Sequence, residues 1–358
     1  MRMISAILVL LALSACDRTR TADPSPPAAP AVEVREVAAA DGYGQNGDDV
    51  NSVAFWSHPS VNFQSLLIAA TGDGVKAFNI ESGEEVASAP GPVTNLAVFY
   101  LGEGEIAQGY AIARAGDAYA VYAVANDAPA LAPLIVTGAA PGADAFCISG
   151  GVLYEAGRDQ LAAREIAVLT GGVVLSDARK VAAAPGVTSC HVDDRTGEVI
   201  TIGKDGAIKR VDPSTGESFG LAFVDAATAS ALFLMTTPEP DNAAGGVIAV
   251  LTGASGVISL YDQTDGHALG AVRVKSTFDL DAVATAKTIA AGYGNYGGIY
   301  RDGALAVVTA GKGAPIRLVP WTGILDALKL TPGENVDPRT PQPVTETERV
   351  IDIEFAQP

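Results

Sequence analysis

The amino-acid sequence predicts an all-β protein with the architecture of a six-bladed β-propeller made of four-stranded antiparallel sheets. Short runs rich in Val, Ile, Ala and aromatic residues, each bounded by Gly, Asp, Asn or Pro, follow one another along the chain. Between residues 41 and 330 a 3.6-residue hydrophobic period is almost absent, which argues against helices. The third observation is a unit of one strand and two turns that recurs along the chain.

Nine runs are clear enough to be predicted as individual strands. They cover residues 65–70, 75–80, 109–113, 118–124, 198–202, 207–211, 246–251, 257–261 and 304–309. β-Branched and aromatic residues pack well on a pleated surface, and the turn formers between the runs end each strand. One short helix is predicted over residues 321–328, where Ile324, Leu325 and Leu328 have helical spacing.

The recurring unit has a Gly turn that begins a strand and an Asx–Gly hairpin turn that ends it. Its copies lie at residues 74–83, 206–216 and 256–266, with a looser copy at residues 116–122. Ile208 and Ile258 are 50 positions apart, and Val75 and Ala118 are 43 apart. A period of about 40–50 residues is typical of propeller blades, so a body of about 290 residues should hold about six.

The composition indicates a folded protein and excludes several functional classes. The 358 residues are 48% hydrophobic, so the chain is too apolar to be intrinsically disordered. The chain has 23 basic and 41 acidic residues, a net charge of −18, and contains no Lys/Arg cluster. A nucleic-acid partner is therefore not expected. Three Cys are too few for a fold built on a disulfide framework, and three Cys with three His exclude most zinc sites built by short-range spacing.

Residues 1–15 have the pattern of a signal peptide, because Arg2 precedes a short apolar run. Residues 13–16, L-S-A-C, resemble the lipobox of bacterial lipoproteins, in which the Cys becomes the first residue and carries lipid. Cys16 is therefore predicted to anchor the protein in a membrane. A plain secretory signal that ends in Cys is the alternative. This interpretation places the protein in a bacterial cell envelope, facing the periplasm or the exterior.

The rest of the chain divides into three parts. Residues 16–40 are predicted to be the lipidated Cys and an Ala/Pro-rich tether, and residues 41–330 the propeller. Residues 331–358 form a Pro-rich tail, in which residues 349–355 alternate like a strand at the edge of a sheet. In an oxidising compartment Cys147 and Cys190 could form a disulfide. The sequence cannot show their proximity, and we interpret them as two unpaired, buried small residues.

Motifs for common chemistries are weak in this sequence. Residues 42–47 and 292–297 match G-x-G-x-x-G, but neither segment is expected to follow a hydrophobic strand and begin a helix, as a dinucleotide site requires. No G-x-S-x-G nucleophile pattern is present. His58 is expected in a turn, and His191 is expected to face either the channel or the core.

Pairs of nearby acidic residues are the best candidates for metal binding. These pairs are Asp48 with Asp49, Asp193 with Asp194, and Asp279 with Asp281. The i, i+2 spacing of the last pair puts both carboxylates on one face of a strand, as a Ca²⁺ site would need. Asp193 and Asp194 instead begin a D-D-R-T-G hairpin turn, and a solvated turn is the alternative for every pair.

Residues 51–59, N-S-V-A-F-W-S-H-P, resemble the D-D-P-A-I-W-x-H-P opening of the β-propeller phytases. Further resemblances occur in the same order as in that family. They lie at residues 74–83, 94–96, 113–122, 188–197, 279–281 and 316–321. Together they span nearly the whole predicted propeller, although no single segment is diagnostic.

The resemblance implies a calcium-dependent 3-phytase, which removes phosphate from myo-inositol hexakisphosphate at a cluster of Ca²⁺ ions. Calcium would reverse the local negative charge of the carboxylates and act as a Lewis acid. The candidate metal ligands are Asp205, Asp279 and Asp281, together with Asp49, which lies just upstream of the family's opening acids, and the candidate phosphate ligands are Arg114 and Arg158. No catalytic residue is identified.

Several ligand positions of the family differ here: its opening acids fall on Asn51 and Ser52, and its later Glu residues fall on Thr188 and near Ser230. Because Ca²⁺ takes roughly six to eight oxygen ligands, the calcium site and the phytase activity are predicted to be reduced or absent. The alternative function is a non-catalytic propeller that binds a ligand or a protein. The expected partners are a phosphorylated small molecule and, through Cys16, a membrane.

Overall fold

The computed structural model describes residues 33–45, 47–102, 108–126, 129–138, 141–143, 145–157, 159–236, 244–253, 255–310 and 313–341. The predicted signal peptide, Cys16, most of the tether, Arg158 and the strand expected at residues 349–355 lie outside these ranges. Within them the chain is almost entirely β, with one α-helix and short 3₁₀ turns such as Asn62–Gln64. No described helix is long and apolar enough to cross a membrane.

Several sheets consist of four antiparallel strands that follow one another in the chain. One contains β3 (Val50–Trp56), β4 (Leu66–Thr71), β5 (Gly74–Asn79) and β6 (Glu85–Pro90). Another contains β16 (Val187–Val192), β17 (Val199–Gly203), β18 (Ala207–Val211) and β19 (Ser218–Phe223). A third contains β24 (Ala286–Gly292), β25 (Ala304–Thr309), β26 (Ile316–Pro320) and, from the start of the described chain, β2 (Asp41–Tyr43).

Two larger sheets contain the same four-stranded pattern with added strands. One has β20 (Ala227–Thr236), β21 (Ala244–Thr252), β22 (Val257–Asp262) and β23 (Ala268–Lys275), flanked by β1 (Val34–Ala38) on β23 and β27 (Glu334–Asn335) on β20. The other holds two groups. These are β7 (Leu96–Leu101), β8 (Gln108–Ala115), β9 (Ala118–Val124) and β10 (Leu131–Thr137), then β11 (Ala145–Ser149), β12 (Val152–Ala156), β13 (Gln160–Leu169) and β15 (Arg179–Ala183). β14 (Gly172–Leu175) joins them by pairing with both β10 and β13.

The first strands of these groups contact one another in a closed circle. β3 contacts β7, and the contacts then run through β11, β16, β20 and β24 back to β3. The same strands line one common cavity. Sheets arranged radially around a central channel define a β-propeller, so the prediction of an all-β propeller is confirmed.

The ring is closed by a strand from the start of the described chain. β2 pairs antiparallel with β26, and Tyr43 at its end is buried. The Tyr43 hydroxyl donates a hydrogen bond of 2.6 Å to the Ile80 carbonyl, which lies just after β5 in the neighbouring sheet. The first and last sheets are therefore joined by backbone pairing and by a buried side chain.

The predicted strands and the predicted repeat are confirmed. All nine predicted runs overlap strands, and the four copies of the repeat supply β5, β9, β18 and β22, each the third strand of its group. The turns have the expected chemistry: Asp212 Oδ1 accepts a hydrogen bond from the Ser214 amide, and Asp262 Oδ1 accepts one from the Thr264 amide. Gly216 follows with φ of 76°, a left-handed conformation that favours Gly.

The predicted short helix is also present, as α1 (Trp321–Leu328). The Trp321 ring stacks on Phe233, with ring centres 3.8 Å apart, so the helix is packed onto the sheet of β20–β23. The expectation for the second glycine motif is met, because Gly292 is the last residue of the hydrophobic strand β24 but residues 292–297 do not begin an α-helix. The next element is the 3₁₀ turn Gly298–Tyr300 rather than an α-helix, so the segment lacks the helix N-terminus that binds a pyrophosphate.

A buried ion pair connects two neighbouring groups of strands. Asp193 and Arg195, in the turn after β16, are both buried and form a bidentate pair, with Nη2 and Oδ2 2.9 Å apart. Arg195 also donates to the carbonyls of Met235 and Gly245, and Gln263 donates to Asp193. The predicted hairpin turn therefore also acts as a polar clamp that holds the next sheet. Both charged side chains of the clamp have several hydrogen-bond partners.

We expect Arg195→Ala to lower the free energy of unfolding by about 3–5 kcal/mol, because it leaves the Asp193 carboxylate buried without its partner. Arg210→Ala is the matched control, since Arg210 pairs with Glu198 at 3.4 Å with both side chains 29% exposed. Its cost should be about 0–1 kcal/mol. Urea unfolding of both variants measures the difference, and equal costs would contradict the clamp.

Candidate functional site in the central channel

The strand ring encloses a cavity of about 620 Å³. Hydrogen bonds between strand ends define its two openings. Where the lining strands begin, Lys287 at the start of β24 contacts Asp49 just before β3. Where they finish, the Tyr100 hydroxyl on β7 accepts a hydrogen bond from the Ser57 amide just after β3. We call these two ends of the channel the mouth and the floor.

A compact polar cluster lies on the channel wall. Ser189 and His191 alternate on β16 and so point to the same side, toward Ser230 on β20. The Ser230 hydroxyl lies 2.8 Å from His191 Nε2 and 2.7 Å from the Ser189 hydroxyl. His191 Nε2 is also 3.3 Å from the Ser189 hydroxyl. The open question about His191 is thereby settled: it lines the channel.

Burial lowers the pKa of His191 to about 4, although a hydrogen bond with Ser230 opposes the shift. The imidazole is therefore neutral at neutral pH and offers one donor and one acceptor nitrogen. A base this weak is poorly suited to activate a serine hydroxyl at pH 7. The cluster is thus better suited to hydrogen bonding with a ligand than to nucleophilic catalysis.

The titration of His191 should make the fold sensitive to acid. Between about pH 6.5 and pH 4 the unfolded chain binds a proton that the folded chain excludes, so stability falls as the pH falls through this window. We expect wild type to lose on the order of 1–2 kcal/mol more than His191→Gln between pH 7 and pH 5. His267→Gln, at an exposed His, is the control. Parallel stability curves for wild type and His191→Gln in urea unfolding would contradict this result.

The wall beside this cluster contains a disulfide. Cys147 on β11 and Cys190 on β16 are bonded, with Cα atoms 5.5 Å apart. Both are buried, as expected, but the interpretation as unpaired residues is wrong. The reason is the ring, which brings two first strands 43 residues apart in sequence into contact. The bond fixes the strand that carries Ser189 and His191.

Reduction of this disulfide should destabilise the protein by about 2–4 kcal/mol, because the open chain gains conformational entropy when unfolded. Melting temperature measured with and without dithiothreitol tests this. Cys147→Ala/Cys190→Ala is the matched control, and its melting temperature should not respond to the reductant. Free thiols at both positions in non-reduced protein, detected by alkylation and mass spectrometry, would overturn the assignment.

The floor of the channel is filled by the segment after α1. β27 extends β20, and Arg339 then enters the channel with only 7% of its surface exposed. Its Nε donates to the Ser57 carbonyl at 2.6 Å, and its guanidinium carbon lies 4.6 Å from the centre of the Tyr100 ring and 5.2 Å from that of Trp56. This part of the predicted Pro-rich tail therefore closes the floor of the channel, where the Arg339 guanidinium is held by aromatic rings.

A second pair of polar groups lies near the floor. The Tyr293 hydroxyl donates a hydrogen bond of 2.8 Å to Asp194. Burial raises the pKa of Asp194, and burial together with the Asp194 charge raises the pKa of Tyr293 well above its usual value. Asp194 is thus a channel residue, not the solvated turn residue expected from the sequence.

The acidic pair at the mouth is matched by lysines. Asp48 Oδ1 is 2.9 Å from Lys76 Nζ, and Asp49 Oδ1 is 2.7 Å from Lys287 Nζ. Burial alone would raise the pKa of Asp48, but the hydrogen bonds from Lys76 and the Gln45 amide, together with the charge of Lys76, outweigh it, so the pKa lies below its usual value. Each of these carboxylates therefore has a permanent positive neighbour from its own chain.

The other predicted site residues within the described ranges lie on the same face as the mouth, in loops or at the end of a strand, because antiparallel strands alternate in direction. Arg114, near the end of β8, donates to the carbonyls of Gly116 and Ala143. Asp205 accepts a hydrogen bond from the Ala207 amide in the turn before β18. Asp279 and Asp281 are exposed between β23 and β24.

None of Arg114, Asp49, Asp205, Asp279 and Asp281 is among the residues that line the cavity. Among the described residues, metal-ligand groups of three or more come together at one place, which contains none of the predicted acids. It is formed by Asp262, Asp265 and His267 on the hairpin between β22 and β23. The roles assigned to the predicted acids and to Arg114 stay predictions.

Comparison with known proteins gives no family. No family model matches the sequence, and no curated protein matches it significantly. The β-propeller domain of Myceliophteria thermophila Cps50 (Swd1) is similar in structure, with a TM-score of 0.43 and 14% identity over 76% of this chain and 82% of that one. KlHsv2 with loop 6CD replaced by a Gly-Ser linker gives a TM-score of 0.39 and 12% identity over 73% and 89%. The assignment of the fold rests on the strand pairing and the ring of contacts in this chain.

Proposed function

We propose that this protein is a six-bladed propeller related to the β-propeller phytases, anchored by lipid to a bacterial cell envelope, that binds a ligand without hydrolysing it. The observation that carries this proposal is the pairing of the acidic residues at the mouth with lysines of the same chain. Where the family resemblance implies calcium, Lys76 and Lys287 supply the positive charge.

The number of blades is supported by the grouping of strands. Six first strands succeed one another around the cavity: β3, β7, β11, β16, β20 and β24. Each is succeeded by strands that complete a group of four, with β2 completing the last. We therefore assign one blade to each group and treat β1, β14 and β27 as additions at their edges.

The loss of calcium binding is supported by charge and geometry. Lys76 Nζ lies 2.9 Å from Asp48 Oδ1 and 3.6 Å from Glu85 Oε2. Lys287 Nζ lies 2.7 Å from Asp49 Oδ1. A Ca²⁺ ion takes roughly six to eight oxygen ligands, so it would have to compete with these ammonium groups for the few carboxylates present. Without the metal, a phosphate ester would lack both its Lewis acid and its activated water.

The location in the envelope is supported by the Cys147–Cys190 disulfide. Structural disulfides form and persist in oxidising compartments such as the periplasm or the cell exterior, and are rare in the cytosol. This agrees with the signal-peptide pattern of residues 1–15 and the lipidation proposed at Cys16. In the cytosol, which is reducing, neither a signal peptide nor a structural disulfide would be expected.

Two measurements on the purified protein test the proposal. Phosphate release from phytate should be absent with or without Ca²⁺, and millimolar Ca²⁺ should not change the melting temperature, because a ligand stabilises only a fold that binds it. In Lys76→Met/Lys287→Met, Asp48 and Asp49 lose their cations, so Ca²⁺ should raise the melting temperature of this variant by screening the exposed negative charge, although two carboxylates are too few to coordinate the ion. Lys180→Met/Lys275→Met, at exposed lysines, is the matched control.

Chelator-sensitive phosphate release by wild type, with a melting temperature that rises with Ca²⁺, would replace this proposal with a calcium-dependent phosphomonoesterase. In that case the loop carrying Asp279 and Asp281 would be the first place to look for the metal. A lack of calcium response in Lys76→Met/Lys287→Met would show that the lysines do not stand in for the ion.

A further inference from the structure

We infer that the ligand of the channel is a compact uncharged polyol of monosaccharide size, held by the cluster of Ser189, His191 and Ser230 and admitted through the mouth. This inference rests on the proposed function and names the class of ligand. The reasons are the size of the cavity, the balance of hydrogen-bond donors and acceptors, and the absence of an uncommitted charge along its described wall.

The cavity has the size and the enclosure of a small-molecule site. Its volume of about 620 Å³ lies within the range of roughly 300–1,000 Å³ typical of ligand pockets. Pro338 and Arg339 occupy the floor, so a ligand would enter from the mouth. The residues around the mouth are mostly small and polar, including Asn51, Thr188 and Thr228.

The charged groups of the described wall already have partners. Lys287 pairs with Asp49, Arg339 is bonded to the Ser57 carbonyl and stacked on aromatic rings, and Asp194 accepts from Tyr293. Binding a phosphate or carboxylate in the middle of the channel would bury a charge without a counter-charge, which costs several kcal/mol. The arrangement therefore favours an uncharged ligand.

The polar cluster needs groups that can both donate and accept. Each Ser hydroxyl has one donor and two acceptor positions, and neutral His191 has one of each, so the three mutual contacts leave capacity for a ligand. A hydroxyl group matches this mixture because it also donates and accepts. Amines or carboxylates, which offer one kind alone when charged, match it poorly.

Part of the wall is aliphatic and interrupts the polar groups that line the cavity. Ala54, Ala97, Ile148 and Ala290, from four different lining strands, contribute small or aliphatic side chains to the cavity. A pyranose ring has C–H faces that can pack on such a surface while its hydroxyl groups bond to the cluster. Polar groups of this kind fix the orientation of a ligand in a small-molecule site, and the aliphatic patches provide surface on which it can pack.

The test is saturation-transfer NMR and melting temperature of the full chain with glucose and galactose, using inorganic phosphate as the charged comparison. We expect at least one sugar to bind and phosphate not to bind. Ser230→Val should weaken sugar binding at least tenfold, and Ser218→Val, at an exposed Ser on β19, should leave it unchanged. Ala290→Leu, which adds bulk to the channel from β24, the strand next to the one that carries Ser230, should also abolish binding.

The inference is overturned if neither sugar binds wild type, or if Ser230→Val and Ala290→Leu fold normally and bind as well as Ser218→Val does. Binding of phosphate in the channel in place of the sugars would likewise overturn it. These failures are separable from failure of the proposed function, which is decided by phosphate release and by the response to calcium. A protein that neither hydrolyses phytate nor binds sugars would keep the first proposal and lose the second.

Discussion

Closure of the strand ring is the constraint on which the rest of the structure depends. A strand from the start of the described chain, β2, completes the sheet of β24–β26, and its Tyr43 reaches the neighbouring sheet through a buried hydrogen bond to Ile80. Each first strand is then flanked on both sides by another first strand, and its unpaired edge lies along the channel and not on the outer surface. Without this closure there would be no common cavity, because the wall of the channel is shared among all the sheets.

Closure of the ring also determines how a functional site can be assembled in this protein. Each first strand contributes only a few side chains to the channel, so any site must be assembled from residues far apart in sequence. Ser230 lies 39 residues from its partner His191, and Lys287 lies 238 from Asp49. Arg339 reaches Ser57 across 282 residues. Local motifs are therefore poor guides to function here, since the groups that meet do not form a pattern along the chain.

This difference explains which features could be predicted. The strands, the repeat of residues 74–83, 206–216 and 256–266, and the helix α1 are determined by local hydrophobic pattern and turn chemistry, and all are present. The Cys147–Cys190 bond and the placement of Arg339 in the floor depend on contacts across the ring, which periodicity does not encode. The alternation of Ser189 and His191 on β16 was a visible signal for a polar face, but nothing in the sequence pointed to Ser230 as its partner.

The positive charge supplied by Lys76 and Lys287 differs in one respect from the charge that bound metal ions would supply. A bound Ca²⁺ ion depends on the free calcium concentration, whereas the ammonium groups of Lys76 and Lys287 are covalently part of the chain. Hydrogen bonding to Asp48 raises the pKa of Lys76 further and so reinforces that charge. These two cations are thus part of the fold, and the pair of Lys287 and Asp49, with side chains 40% and 66% exposed, is screened by dissolved salt. The exposed acids Asp205, Asp279 and Asp281 lie on the same face, so the surroundings of the opening stay acidic, and in the proposed function selection among ligands falls to the uncharged polar cluster inside.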